Sequence, residues 1–85
     1  MSHYDYFHCI NTLNTCGANY FTRPIENGGV KIVCYSPYYV YDNKTGEASI
    51  SCYVLHWVDT YNAGGEFISH KVYESVWVKN IEDID

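Results

Sequence analysis

The sequence predicts an α+β fold, a three-stranded antiparallel β-meander with an N-terminal helix packed on one face; an all-β small sheet is the alternative. Three observations lead there. The runs Ala48 to Tyr61 and Glu66 to Lys79 alternate in polarity and are joined by the turn-forming stretch Asn62-Ala63-Gly64-Gly65. The run Val30 to Tyr41 is rich in β-branched and aromatic residues and stops at Asp42-Asn43-Lys44-Thr45-Gly46, a turn with glycine where positive φ is needed. Ahead of them, Tyr6, Cys9, Ile10, Leu13 and Cys16 recur at helical spacing.

Taken in order, Ser2 to Cys16 reads as a short amphipathic helix, with Ser2 as cap, Asp5 at the reciprocal capping position and Gly17 as left-handed stop. A strand over Tyr4 to Ile10 competes, because Tyr4, Tyr6, Phe7 and Ile10 favour sheet and Asn11, Thr12, Asn14 and Thr15 form helix poorly. Asn19 to Thr22 can add a short strand before Arg23-Pro24, and Glu26-Asn27-Gly28-Gly29 is a turn. Pro37 cannot donate to a ladder, so the strand Val30 to Tyr41 is expected at an edge or bulged there. The chain reads as one domain over residues 1–85, with a helical segment 1–17, the meander 30–79 and an acidic tail 80–85.

Folding the last two runs on each other assigns their faces. The even positions Ile50, Cys52, Val54, His56 and Val58 meet Ile68, His70, Val72, Glu74, Val76 and Val78, a mostly aliphatic set suited to the core. The odd positions carry Tyr53, Leu55, Trp57, Phe67, Tyr73 and Trp77 among serines, lysines and Asp59, and Tyr35 and Tyr39 from the preceding strand join Tyr53, Trp57, Tyr73 and Trp77. These six aromatic residues are the expected partner-binding set. The competing arrangement folds Asn19 to Glu26 over that face and buries part of it.

Composition narrows the function. Ten tyrosines in 85 residues exceed what a small core absorbs, and Tyr offers a rigid contact surface with a polar tip. Ten acidic against five basic residues give a net charge of −5, which repels a polyphosphate backbone and suits a partner with a basic surface. The opening Met1-Ser2-His3-Tyr4-Asp5-Tyr6 lacks the basic and apolar regions of a secretory signal, so the expected compartment is the cytoplasm and the expected state of Cys9, Cys16, Cys34 and Cys52 is the free thiol. No run of residues reads as a membrane span. Asn43-Lys44-Thr45 is then a turn and not a glycosylation site.

One chemical constellation invites a metal. With the hairpin turn centred on Ala63, His56 faces His70, Cys52 lies along the same face and Cys34 comes in from the neighbouring strand, a Cys/His set of zinc-ligand type. Common structural sites use closely spaced cysteine pairs on tight turns, and parallel side chains on a sheet converge poorly, so these residues are expected to fill core space and bond locally. His8-Cys9 and Cys16 are poor thiol nucleophiles, since neighbours on a helix point about 100° apart. Gly28-Gly29 and Gly64-Gly65 lack the strand-to-helix setting of phosphate loops.

The expected protein is therefore a small non-catalytic binding domain without a cofactor, engaging a protein partner or a second copy through its aromatic face. An inhibitor or adaptor of the kind phages and mobile elements direct at host machinery fits that description. The alternatives are a small-ligand or nucleotide sponge at a dimer interface, and a Cys/His metal site or thiol enzyme around Cys34, Cys52, His56 and His70.

Overall fold

The computed structural model describes residues 5–81, with the backbone alone at Ser75. Helix α1 spans Tyr6–Cys16 and is followed by strand β1 (Tyr20–Pro24), a 3₁₀ turn (Glu26–Gly28), β2 (Val30–Tyr41), β3 (Ala48–Tyr61) and β4 (Phe67–Val78). The strands form one antiparallel sheet in the order β1-β2-β3-β4. The fold is thus α+β, and the expected count of three strands becomes four: the positive φ of Asn27 (71°) and Gly28 (78°) turns β1 back onto β2. Gly29 must lack a side chain at the end of that turn, where a Cβ would stand 2.5 Å from the carbonyl oxygen of Tyr61.

Helix rather than strand wins in the N-terminal segment, and its start and stop explain why. The carboxylate of Asp5 accepts the amide of His8 at 2.7 Å, so Asp5 itself caps α1; Ser2, the expected cap, lies outside the described residues. Gly17 takes the left-handed conformation at φ 71° and ends the helix. The poor helix formers Thr12 and Thr15 return their hydroxyls to the carbonyls of His8 and Asn11. The amide of Tyr6 donates to the carbonyl of Gly65, which ties the head of the helix to the β3–β4 turn. In that turn Asn62 Oδ1 accepts the amides of Gly64 and Glu66 at 2.9 Å each.

The expected division into an aliphatic and an aromatic face does not hold, because bulges change the register. In the β2–β3 ladder Cys34 pairs with Trp57 but Tyr35 pairs with Leu55, which leaves His56 as an extra residue; between β3 and β4 the register shifts again at Leu55/Trp57 and at Thr60/Tyr61. Trp57 and Leu55, both odd-numbered, consequently lie on opposite faces. Under the helix run the rows Tyr20, Cys34, Trp57, Val72 and Thr22, Ile32, Asp59, His70.

The core is split between the two faces. On the helix side Leu13, Ile32 and Tyr61 are buried, with Tyr6, Cys9, Ile10 and Trp57 packed around them. On the other side Val33, Leu55 and Val58 are buried beneath Phe21, Tyr35, Tyr73, Val76, Val78 and Ile81. Cys16, placed on the helix stripe by its spacing, is exposed. No helix among the described residues is long and apolar enough to cross a membrane. The expected acidic tail falls outside the described residues from position 82 onward.

Candidate functional site

The six aromatic residues expected on one face are divided by the bulges. Tyr35, Tyr53 and Tyr73 belong to the side opposite the helix, where they are half-buried. There Phe21, Tyr35 and Tyr53 form a continuous row with ring centroids 5.8 and 5.6 Å apart, Arg23 lies over Phe21 and Lys71 over Tyr73. These tyrosines cover a core and are not bare anchors. Trp57 is half-buried on the helix side, while Trp77 and Tyr39 are exposed.

Phe7 on α1 and Phe67, Ile68 and Val72 on β4 are exposed singly or in a short run, and the longest bare stretch is the far end of the β2–β3 hairpin. β1 pairs with β2 no further than Cys34, and β4 reaches β3 only from Tyr53, so the stretch from Tyr38 to Cys52 stands out from the sheet as a two-stranded arm. Its large side chains Tyr38, Tyr39, Val40, Tyr41 and Ile50 are between 46% and 71% exposed, and Trp77 meets Tyr38 edge-on at 5.4 Å beside it. The tip is ordered by its own turn, with the Asp42 amide donating to Glu47, the Gly46 amide to Asp42, and Asp42 Oδ1 accepting from the Lys44 amide. The edge of the arm is partly closed to strand addition. The Tyr35 amide points away from β3 to the Asn19 carbonyl, so by alternation Pro37, Tyr39 and Tyr41 present their backbones on that same outer edge. Pro37 has no amide hydrogen to offer there. Tyr39 and Tyr41 keep their backbone groups on that edge, beside the exposed side chains of the arm. Tyr38, Val40, Tyr41 and Ile50 were not among the expected anchors, because four consecutive large residues without a polar interruption read equally as a strand buried on both faces.

A second feature lies under α1. A cavity of about 550 Å³ opens between His8, Cys9, Thr12 and Leu13 of the helix and Trp57, Asp59, Phe67 and His70 of the sheet. Asp59, 8% exposed, is its polar centre. One carboxylate oxygen faces Nδ1 of His70; the other accepts the Tyr61 hydroxyl at 3.0 Å and the Cys9 thiol at 3.7 Å. Burying a carboxylate is costly without such donors, and here three side chains supply them. Burial pushes the Cys9 thiol up; a hydrogen bond with Tyr61 opposes the rise and the charge of Asp59 adds to it. Cys9 is thus a neutral donor and not a thiolate nucleophile. The Tyr61 phenol is held well above its ordinary value, first by burial and then by its contacts with Cys9 and Asp59.

The Cys/His set considered for a metal is not brought together. His70 lies opposite Asp59 and not opposite His56, because the turn is centred on Gly64 instead of Ala63, with Asn62 bonded to Glu66 and Tyr61 paired with Phe67, and the shift at Thr60/Tyr61 adds one more residue. His56 Nε2 instead hydrogen-bonds Ser36 at 2.6 Å, Cys34 is buried opposite Trp57, and Cys52 pairs with Tyr38 further along. Among the described residues no three of His, Cys, Asp and Glu stand in a metal-holding arrangement. Compared with protein-family models, curated proteins and solved structures, the chain matches none.

Proposed function

We propose that the chain is a small non-catalytic protein-binding domain, an inhibitor or adaptor acting in the cytoplasm, that docks through the projecting β2–β3 arm and the adjacent Trp77. One observation carries this reading: Tyr38, Tyr39, Val40, Tyr41 and Ile50 are all exposed on a segment that covers neither core cluster, and Trp77 of β4 is exposed beside them. Large apolar patches on a monomer mark interaction sites, and Tyr and Trp are the residue types that dominate binding energy at such sites. The net charge of −5 favours a partner whose surface is basic.

Of the six aromatic residues of the expected face, Tyr39 and Trp77 stay as anchors, while Tyr35 and Tyr73 pack on one core cluster, Tyr53 packs on Tyr35 and Trp57 packs on the other cluster. The test is capture of the partner from an extract of the source cells on immobilised protein, followed by affinity measurement with the purified partner. Trp77→Ala and Tyr38→Ala should each weaken binding by roughly 30-fold, the effect of truncating a central aromatic anchor. Lys71→Ala, on the opposite face, should leave it unchanged. Binding that is indifferent to Trp77→Ala and Tyr38→Ala would remove the arm from the interface.

A further inference from the structure

The cavity under α1 lies on the sheet away from the arm, and its chemistry points to a different kind of ligand. Its polar equipment is asymmetric. Asp59 already has the Tyr61 hydroxyl and the Cys9 thiol on one oxygen and His70 Nδ1 on the other, so it has no obvious need of a ligand donor. A hydrogen must lie between a carboxylate oxygen and Nδ1, and Nδ1 therefore carries the imidazole proton. In the neutral ring this leaves Nε2 with a lone pair, fixed in direction because Asp59 and the tilted contact with Trp57, centroids 5.5 Å apart, hold the ring. The remaining walls are the apolar Trp57, Phe67 and Leu13 with Cys9, and at the helix His8 and Thr12, whose hydroxyl is already given to the His8 carbonyl. A volume of about 550 Å³ suits a small molecule rather than a peptide.

The geometry points to a binding site for a small, neutral, flat aromatic molecule bearing a single hydroxyl or N–H donor, stacked among Trp57, Phe67 and Leu13 with its donor bonded to His70 Nε2. An aromatic ring fills the apolar walls, and a donor is the complement of the one acceptor that Asp59 orients. A carboxylate or phosphate is disfavoured, because Asp59 stands behind the imidazole and the chain carries a net charge of −5. This site and the arm share no residue, so either can fail without the other.

The probes are 4-methylphenol and its isostere p-xylene, in which a methyl group replaces the hydroxyl. Each is titrated into the full chain while the ¹⁵N resonances of the histidine rings are followed. The expected result is binding of 4-methylphenol roughly tenfold tighter than p-xylene, with the largest ring shift at His70 Nε2. His70→Phe should bind the two probes alike, and His56→Phe should keep the preference. Equal binding of the two probes by the wild type, absence of binding by either up to its aqueous solubility, or a preference that survives His70→Phe would each overturn the assignment. Should His70→Phe fail to fold, the wild-type preference and the His70 ring shift decide the matter on their own.

Discussion

Tyr61 joins the core to the cavity: its side chain is fully buried against Leu13 and Ile32, and its hydroxyl supports Asp59. The same burial makes stability depend on alkaline pH. Folding raises the Tyr61 phenol above its ordinary value of 10.0, so the unfolded chain releases that proton at a pH where the folded chain keeps it. The contribution of neutral Tyr61 is present in full below pH 10 and is lost as pH rises beyond it, at about 1.4 kcal/mol per pH unit. Cys9 and Cys34, raised from 9.0 chiefly by burial, act in the same direction from a slightly lower pH. Urea unfolding between pH 8 and 11 should show stability falling with pH, and Tyr61→Phe should flatten the slope by about one proton. An unaltered slope in Tyr61→Phe would mean that this phenol is not held neutral by the fold.

Among the elements, α1 depends most on a single residue. Its first turn lacks acidic residues and its body contains Asn11, Thr12, Asn14 and Thr15, so intrinsic propensity contributes little and the Asp5 cap counts for more. Asp5→Ala should cost about 1 kcal/mol, a fall of roughly 4–8 °C in melting temperature, while Asp5→Ser should recover most of it; equal losses in the two variants would show that the side-chain cap is not what matters. The helix was legible because periodicity and the Gly17 stop are written in side chains. The bounds of β2 and β3 were legible for the same reason, as was the short strand before Arg23-Pro24. The faces were not. A bulge such as that at His56 is a choice of backbone pairing, and the alternation of Tyr53, Leu55, Trp57 and Asp59 continues through it without a break. That one extra residue moved Tyr53 away from Trp57, and a turn centred on Gly64 instead of Ala63, with the shift near Tyr61, set His70 against Asp59 instead of His56. The cavity could not be read from the sequence because Cys9 and Asp59 are 50 residues apart and meet only in this register. Of the exposed residues at the arm and beside it, Tyr39 and Trp77 stood out in the sequence, although for a face that does not exist as expected.

At the scale of the whole molecule, the sheet is only partly spent on the core. Its near part is sandwiched between α1 and the tyrosine row, while its far end carries large aromatic and aliphatic side chains into solvent, and the principal extents of 54 × 26 × 21 Å reflect that projection. The central claim is that the arm's side chains are separable from the fold. Melting temperature at dilute protein concentration tests it most directly. A variant combining Tyr39→Ser, Tyr41→Ser and Trp77→Ala should melt within a few degrees of the wild type, whereas Leu55→Ala, which empties a buried position, should cost about 2–5 kcal/mol and lower the melting temperature by roughly 10 °C or more. An arm variant that loses as much as Leu55→Ala would show that these exposed residues hold the fold together, and would contradict the account.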